Sequence, residues 1–177
     1  KEKDVVYRHP LTIILEAADD IAYCTADIED GMKKGFINFE KLIKTIKKEV
    51  EDGDKIANKL LEYKEHAEEK GYDSPDLYAT QRWIVSIQGM FIRNVVKAFI
   101  KNYEHIMNGE FETDLFENTE SEKLIKTLKK IAFKEIFSSK TISKMEITAN
   151  NIINYFLDNF VNSVLYWDTQ YENELTG

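Results

Sequence analysis

Three residue types are scarce in this 177-residue chain: it has one cysteine, two prolines and seven glycines. A single thiol, Cys24, excludes an intrachain disulfide and a C-x-x-C motif, which suits a reducing compartment such as the cytoplasm. So few prolines and glycines leave little to interrupt helices, and favour long helices over many short strands. A basic excess is also missing. With 24 Lys and Arg against 32 Asp and Glu, the formal net charge is -8 and the sequence pI about 5.0. From that balance no strong uniform attraction to nucleic acid is expected. No uninterrupted apolar run approaches the ~20 residues that span a bilayer, and no signal-peptide pattern opens the chain, so no membrane partner is expected. G-x-G-x-x-G, Walker and G-x-S-x-G motifs do not occur.

What remains is a globular composition: 43% hydrophobic, 12% aromatic and 32% charged. The length fits one domain with a real core. Apolar residues recur at steps of three and four, the period of an amphipathic helix. Leu11, Ile14, Leu15, Ala18, Ala22, Ala26 and Met32 predict a helix from Leu11 to about Lys34, stopped by Gly35. Asn38 caps a second, carrying Phe39, Leu42, Ile43, Ile46 and Val50. After the Asp52-Gly53-Asp54 turn a third runs to about Glu69, and Ser74-Pro75 opens a fourth. This fourth helix, Pro75 to Met107, carries Trp83, Ile84, Ile87, Met90, Phe91, Val95, Ala98 and Phe99 and is expected at the centre of the core. Residues 110–119 read as a loop with a short turn. Helices are predicted over 121–137 and 143–168, and Ser138 to Ile142 is the one weak strand candidate. The fold class is all-α, a bundle of about six helices.

The chemistry concentrates in Leu15 to Asp27. Residues four and eight apart share one side of a helix, so Asp19, Tyr23 and Asp27 present a carboxylate, a phenol and a second carboxylate together. Small residues around them, Ala17, Ala18, Ala22 and Ala26, let helices approach closely and suggest an interior position. Buried carboxylates need a metal, a cation or a polar ligand. The alternative is a solvated helix face. A hard divalent ion suits an Asp oxygen, but one Asp is not a metal site. His9 reads as a capping or core histidine, His66 as solvated, and His105 as a helix-terminal residue. Arg82 and Arg93 lie on the apolar fourth helix with Gln81 and Gln88. Either arginine suits a phosphate clamp or an ion pair with Asp19, Asp20 or Asp27. Lys41, Lys44, Lys47 and Lys48, and Lys123, Lys126, Lys129, Lys130 and Lys134, read as solvated faces of amphipathic helices, with a nucleic-acid or nucleotide-phosphate patch as the alternative. Acidic neighbours of Cys24 disfavour its thiolate.

Tyr7-Arg8-His9-Pro10-Leu11, then Glu16-Ala17-Ala18-Asp19-Asp20-Ile21-Ala22-Tyr23 and Ala26-Asp27-Ile28-Glu29-Asp30, resembles bacterial deoxyguanosine triphosphate triphosphohydrolases of the HD-domain superfamily. The tight match covers about residues 7–35. The resemblance implies an HD-type helical bundle and hydrolysis of a deoxynucleoside triphosphate, dGTP above all, to deoxynucleoside and inorganic triphosphate. It implies that Asp19 is the last ligand of a divalent metal (Mg2+ or Mn2+). It places Tyr23 beside the sugar and α-phosphate, and Asp27 on the sugar 3′-hydroxyl. Family members assemble into multimers, so a homo-oligomer is expected. The family's upstream His and His-Asp ligands have no counterpart here. The chain therefore reads as a C-terminal portion, inactive alone, with residues 1–35 the last metal-ligand segment of the catalytic core and 36–177 a C-terminal helical region. Two other readings stand: a non-catalytic binding or oligomerisation module from the same family, and an HD-superfamily phosphohydrolase with a different nucleotide.

Overall fold

A computed structural model describes residues 7–167. The chain is all-α, and no strand occurs among the described residues. In order the helices are α1 (Pro10–Lys33), α2 (Phe39–Glu49), α3 (Gly53–Glu69), α4 (Pro75–Lys101), α5 (Tyr103–Met107), α6 (Glu122–Ala132) and α7 (Lys140–Leu165). They fall into two compact units, one ending at Ile136 and the other beginning at Phe137.

Helix boundaries follow local chemistry. Pro10 enters α1 where a missing N–H costs nothing, and His9 Nδ1 accepts the Leu11 amide at 3.2 Å. His9 is thus a capping residue. Beyond α1, Gly35 takes φ +71°, a left-handed turn that a side chain would strain. Asn38 Oδ1 accepts the Lys41 amide at 3.0 Å and starts α2 as the sequence predicts. Gly53 starts α3 where a methyl group would overlap the Ile46 carbonyl oxygen, so α2 and α3 approach more closely than another residue there permits.

In the first unit α4 packs against α3 and α1, α2 against α3 and α6, and α1 against α6. Trp83, Ile84, Ile87 and Phe91 of α4 are buried, and meet Ile28, Leu42, Ile46, Leu60, Leu124 and Leu128 in one core. Removing one such aliphatic or aromatic side chain from water contributes roughly 1.5–3 kcal/mol. Phe91 meets Phe116 edge-on at 5.7 Å, which fastens the 110–119 loop to the core. Asp114 Oδ1 accepts the Phe116 and Glu117 amides at 2.7 and 2.9 Å and forms the expected turn there. By length and composition α4 is able to cross a membrane. Its buried Trp83 and Phe91 and its packing on two neighbours make it the core helix of this unit instead.

The structure differs from the sequence reading in four places. The helix expected over Pro75 to Met107 breaks at Asn102, whose Nδ2 donates to the Ala98 carbonyl at 2.8 Å, and α5 is a separate turn. The expected 121–137 helix changes to a π-helical turn over Phe133–Phe137. Ser138 to Ile142 is not a strand: Ser139 Oγ accepts the Ile142 amide at 3.3 Å, so α7 begins at Lys140. Its predicted end, Asp168, lies outside the described residues. Finally, α1 is not an interior helix. Ile13, Ala17, Ile21, Cys24 and Ile28 are its buried side, while Leu11, Leu15, Ala18, Ala22 and Ala26 are exposed. Two apolar stripes share this helix, and periodicity alone does not say which one the fold buries.

In the second unit, α7 has no buried residue. Met145, Ile152, Phe156, Phe160 and Val164 recur at helical steps along one side and are exposed.

Candidate functional site

Helix α1 advances ~100° per residue, which orders its side chains around the axis. On one flank of the buried side, Thr25 and Glu29 meet α4: Gln88 Nε2 donates to Thr25 Oγ1 at 2.8 Å, and Gln81 Nε2 to Glu29 Oε1 at 2.9 Å. Thr25 is buried, and its own hydroxyl donates to the Ile21 carbonyl at 2.8 Å. On the other flank Asp20 meets α6 through Lys129 Nζ at 2.6 Å. The outward arc between these flanks holds first the small apolar stripe of Ala18, Ala22 and Ala26, then Asp19, Tyr23 and Asp27. A rise of 1.5 Å per residue spreads the latter three over about 12 Å.

None of the three makes a hydrogen bond or ion pair with another described residue. Asp19 is exposed, Tyr23 is 68% exposed and Asp27 is half-buried. The helix thus brings them to one face, as the spacing predicts, but to an open face rather than a cleft. Partial burial, then the charge of Asp30, raises the Asp27 pKa above the ordinary carboxylate value. Its neighbour Glu29 moves the other way, because Lys33 at 2.6 Å and then Gln81 hold its charged form. Burial pushes the Cys24 thiol up to about 12, with Lys129 opposing and Asp20 and Asp27 adding. Cys24 is therefore inert as expected, but desolvation leads and the acidic neighbours are secondary.

Other candidates settle into plainer roles. Arg82 and Arg93 are exposed, and neither forms the ion pair considered for it with Asp19, Asp20 or Asp27. His66 is exposed beside Tyr78, ring centroids 6.5 Å apart, and His105 Nδ1 lies 3.0 Å from Glu110 Oε2. The lysine clusters are more than a solvated face. Lys129 holds Asp20, Lys130 reaches Glu49 at 2.9 Å, Lys123 reaches Glu51 at 2.9 Å and Lys41 reaches Glu135 at 2.6 Å. Sequence reading also passed over Arg8, which pairs with Glu16 and donates to the Thr113 carbonyl at 3.3 Å, tying the entry to α1 onto the 110–119 loop. Gln81 and Gln88 did carry a signal: amides along an otherwise apolar helix need partners.

Comparison with known proteins decides the family. A deoxyguanosinetriphosphate triphosphohydrolase-like protein of Listeria monocytogenes is 35% identical over 164 residues, covering 92% of this chain. A deoxyguanosinetriphosphate triphosphohydrolase of Yersinia pestis is 30% identical over 157 residues, covering 85%. The chain belongs to the deoxyguanosinetriphosphate triphosphohydrolase family. It spans only 35% and 31% of the length of these two relatives. No family model matches the chain.

A divalent metal is implied by the resemblance, so the residues present must be tested for one. No group of three or more His, Cys, Asp or Glu able to hold a metal comes together among the described residues. Asp19 offers one oxygen ligand on an open helix face. The described residues of this triphosphohydrolase-family chain do not form a metal centre by themselves.

Proposed function

We propose that α1 is one wall of a deoxynucleoside triphosphate site, with dGTP the favoured substrate. The observation that carries this reading is the division of labour on α1. Asp20, Thr25 and Glu29 are committed to neighbouring helices, whereas Asp19, Tyr23 and Asp27, at i, i+4 and i+8, are outward and unpartnered.

In this reading Asp27 accepts a hydrogen bond from the sugar 3′-hydroxyl. Its raised pKa still leaves a carboxylate oxygen able to accept. The Tyr23 ring lies on the sugar face and leaves little room at the 2′ position, which selects deoxyribose. Asp19 contributes a single carboxylate to a Mg2+ or Mn2+ whose other ligands are not among the described residues. The overall reaction adds water across the bond between the α-phosphorus and the sugar oxygen, yielding deoxynucleoside and inorganic triphosphate. The same reading makes the working protein a cytoplasmic homo-oligomer and the 177 residues inactive alone.

The deciding experiment replaces the matching segment of the Yersinia pestis relative by residues 7–136. The chimera is expected to release triphosphate from dGTP, and Asp19→Ala within it to abolish release. A folded, active chimera that keeps its rate as Asp19→Ala overturns the site. Robust metal-dependent turnover by the isolated 177 residues overturns the incomplete-site reading. A folded chimera without activity favours a binding or oligomerisation module.

A further inference from the structure

Away from α1, a cavity of about 530 Å³ opens between α3, α4 and residues 118–123. We propose that it binds a small organic anion with a flat apolar body. The inference is independent of the α1 site.

The cavity wall divides by chemistry. Its apolar part is Ile56, Trp83, Ile87 and Met90. Trp83 is 1% exposed and its indole N–H donates to the Ile56 carbonyl at 3.2 Å, so that wall is fixed in place. Four cations also line the cavity: Lys123, which is paired with Glu51, and three others, Lys55 and Lys59, one turn apart on α3, and Arg93 on α4. None of the three has an ion pair or side-chain hydrogen bond with another described residue, although most other lysines of the first unit's facing helices do.

The acids around the cavity are less free. Glu51 is taken by Lys123 at 2.9 Å. Glu122 is taken by Lys126 at 2.6 Å and by the Asn118 amide at 2.7 Å. Asp52 and Glu120 also line the space, have no side-chain partner among the described residues, and suit hydrogen-bond donors on the edge of a ligand. Unengaged charge is therefore three cations against two carboxylates, placed over an apolar floor. The cavity's volume falls within the roughly 300–1,000 Å³ range of small-molecule sites, and charged side chains converge on one apolar wall. The anionic head of such a ligand meets Lys55, Lys59 and Arg93, and its flat body covers Ile87 and Met90.

The probe is anilinonaphthalene sulfonate, an anion with a flat apolar body. Trp83 and Trp167 are the two tryptophans, so Trp167→Phe leaves Trp83 in the cavity wall as sole energy donor. In that background the 177-residue chain is expected to show saturable energy transfer from Trp83 to the dye. Lys59→Glu with Arg93→Glu should weaken binding about tenfold, a loss on the scale of one charged hydrogen bond. Lys44→Glu, on α2 and outside the cavity, should leave it unchanged. Ser86→Phe, which fills the cavity without altering charge, should abolish transfer. Neutral anilinonaphthalene should bind about tenfold more weakly than the sulfonate. No transfer overturns the proposal. So does equal affinity in the charge-reversed protein, equal affinity for the neutral dye, or unchanged transfer in folded Ser86→Phe, because the dye then sits on the exposed apolar faces. If Ser86→Phe fails to fold by circular dichroism, the surface charge reversals decide alone.

Discussion

Lys129 Nζ lies 2.6 Å from Asp20 Oδ1, while the adjacent Asp19 has no ionic or side-chain hydrogen-bonding partner among the described residues. Two identical side chains in sequence thus have different structural duties, and substitution separates them. Asp20→Ala is expected to lower the melting temperature by the equivalent of about 0–1 kcal/mol, since the pair is partly exposed. Asp19→Ala should leave the melt unchanged within error. In the chimera the order reverses, with Asp19→Ala eliminating triphosphate release and Asp20→Ala retaining most of it. A melt that falls more for Asp19→Ala than for Asp20→Ala contradicts this division.

Asn94 and Ser121 form a buried polar pair between α4 and the start of α6, with Asn94 Nδ2 donating to Ser121 Oγ at 2.6 Å. Ser121→Ala strands the amide away from water and is expected to cost about 1–3 kcal/mol in urea unfolding. Asn94→Leu combined with Ser121→Ala should cost less than the sum of the two single changes, since neither polar group is then left alone. Strict additivity shows that the pair is uncoupled.

Burial drives the Cys24 thiol up to about 12 from an ordinary value of 9.0. The folded state then holds the thiol proton over a range where the unfolded chain has released it. Stability from this group is fully present below 9.0 and is lost as pH rises toward 12. The parent should therefore lose stability over that window faster than Cys24→Ala, although the alanine protein starts lower because a cavity opens. Native Cys24 should also react with a thiol reagent only as fast as the chain opens. Rapid stoichiometric labelling of the folded protein contradicts the burial.

For Asp27 the shift is upward too, with burial first and Asp30 second. The group's contribution to stability is intact below the ordinary value of 3.8 and is lost as pH rises through the raised folded value. At neutral pH its charge therefore disfavours the fold. Asp27→Asn is expected to raise the melting temperature at neutral pH, and the difference should close as pH falls toward 3.8. A lower melt for Asp27→Asn at neutral pH would falsify the sign of this effect. The higher melt should accompany weaker deoxynucleotide binding by the chimera, the pattern of a residue kept for function against stability.

The helices were largely legible in the sequence because caps are local. Asn38 and Pro75 each mark a helix start whatever surrounds them. The break at Asn102 was hidden because asparagine is tolerable inside a helix until its amide turns back to the Ala98 carbonyl. On α1 the spacing of Asp19, Tyr23 and Asp27 correctly put them on one face. Periodicity did not separate the stripe of Ile13, Ala17 and Ile21 from that of Ala18, Ala22 and Ala26, since both repeat at helical steps and differ only in what packs against them. Long-range partners such as Lys129 for Asp20 have no signature in the spacing of either residue. The cavity beside Trp83 likewise joins residues from three separate stretches of chain.

The bonds from Gln88 to Thr25 and from Gln81 to Glu29 also fix where α1 stops along α4. Two apolar helix surfaces in contact have other alignments available, reached by sliding past one another a turn at a time, about 5.4 Å. A slip of that size would carry Asp19 to where Tyr23 should stand. With a buried hydroxyl and half-buried amides matched at one alignment only, a slipped arrangement loses both bonds between the helices. The seam thus works as a vernier, converting a continuous contact into a single allowed setting and holding the outward arc at one height.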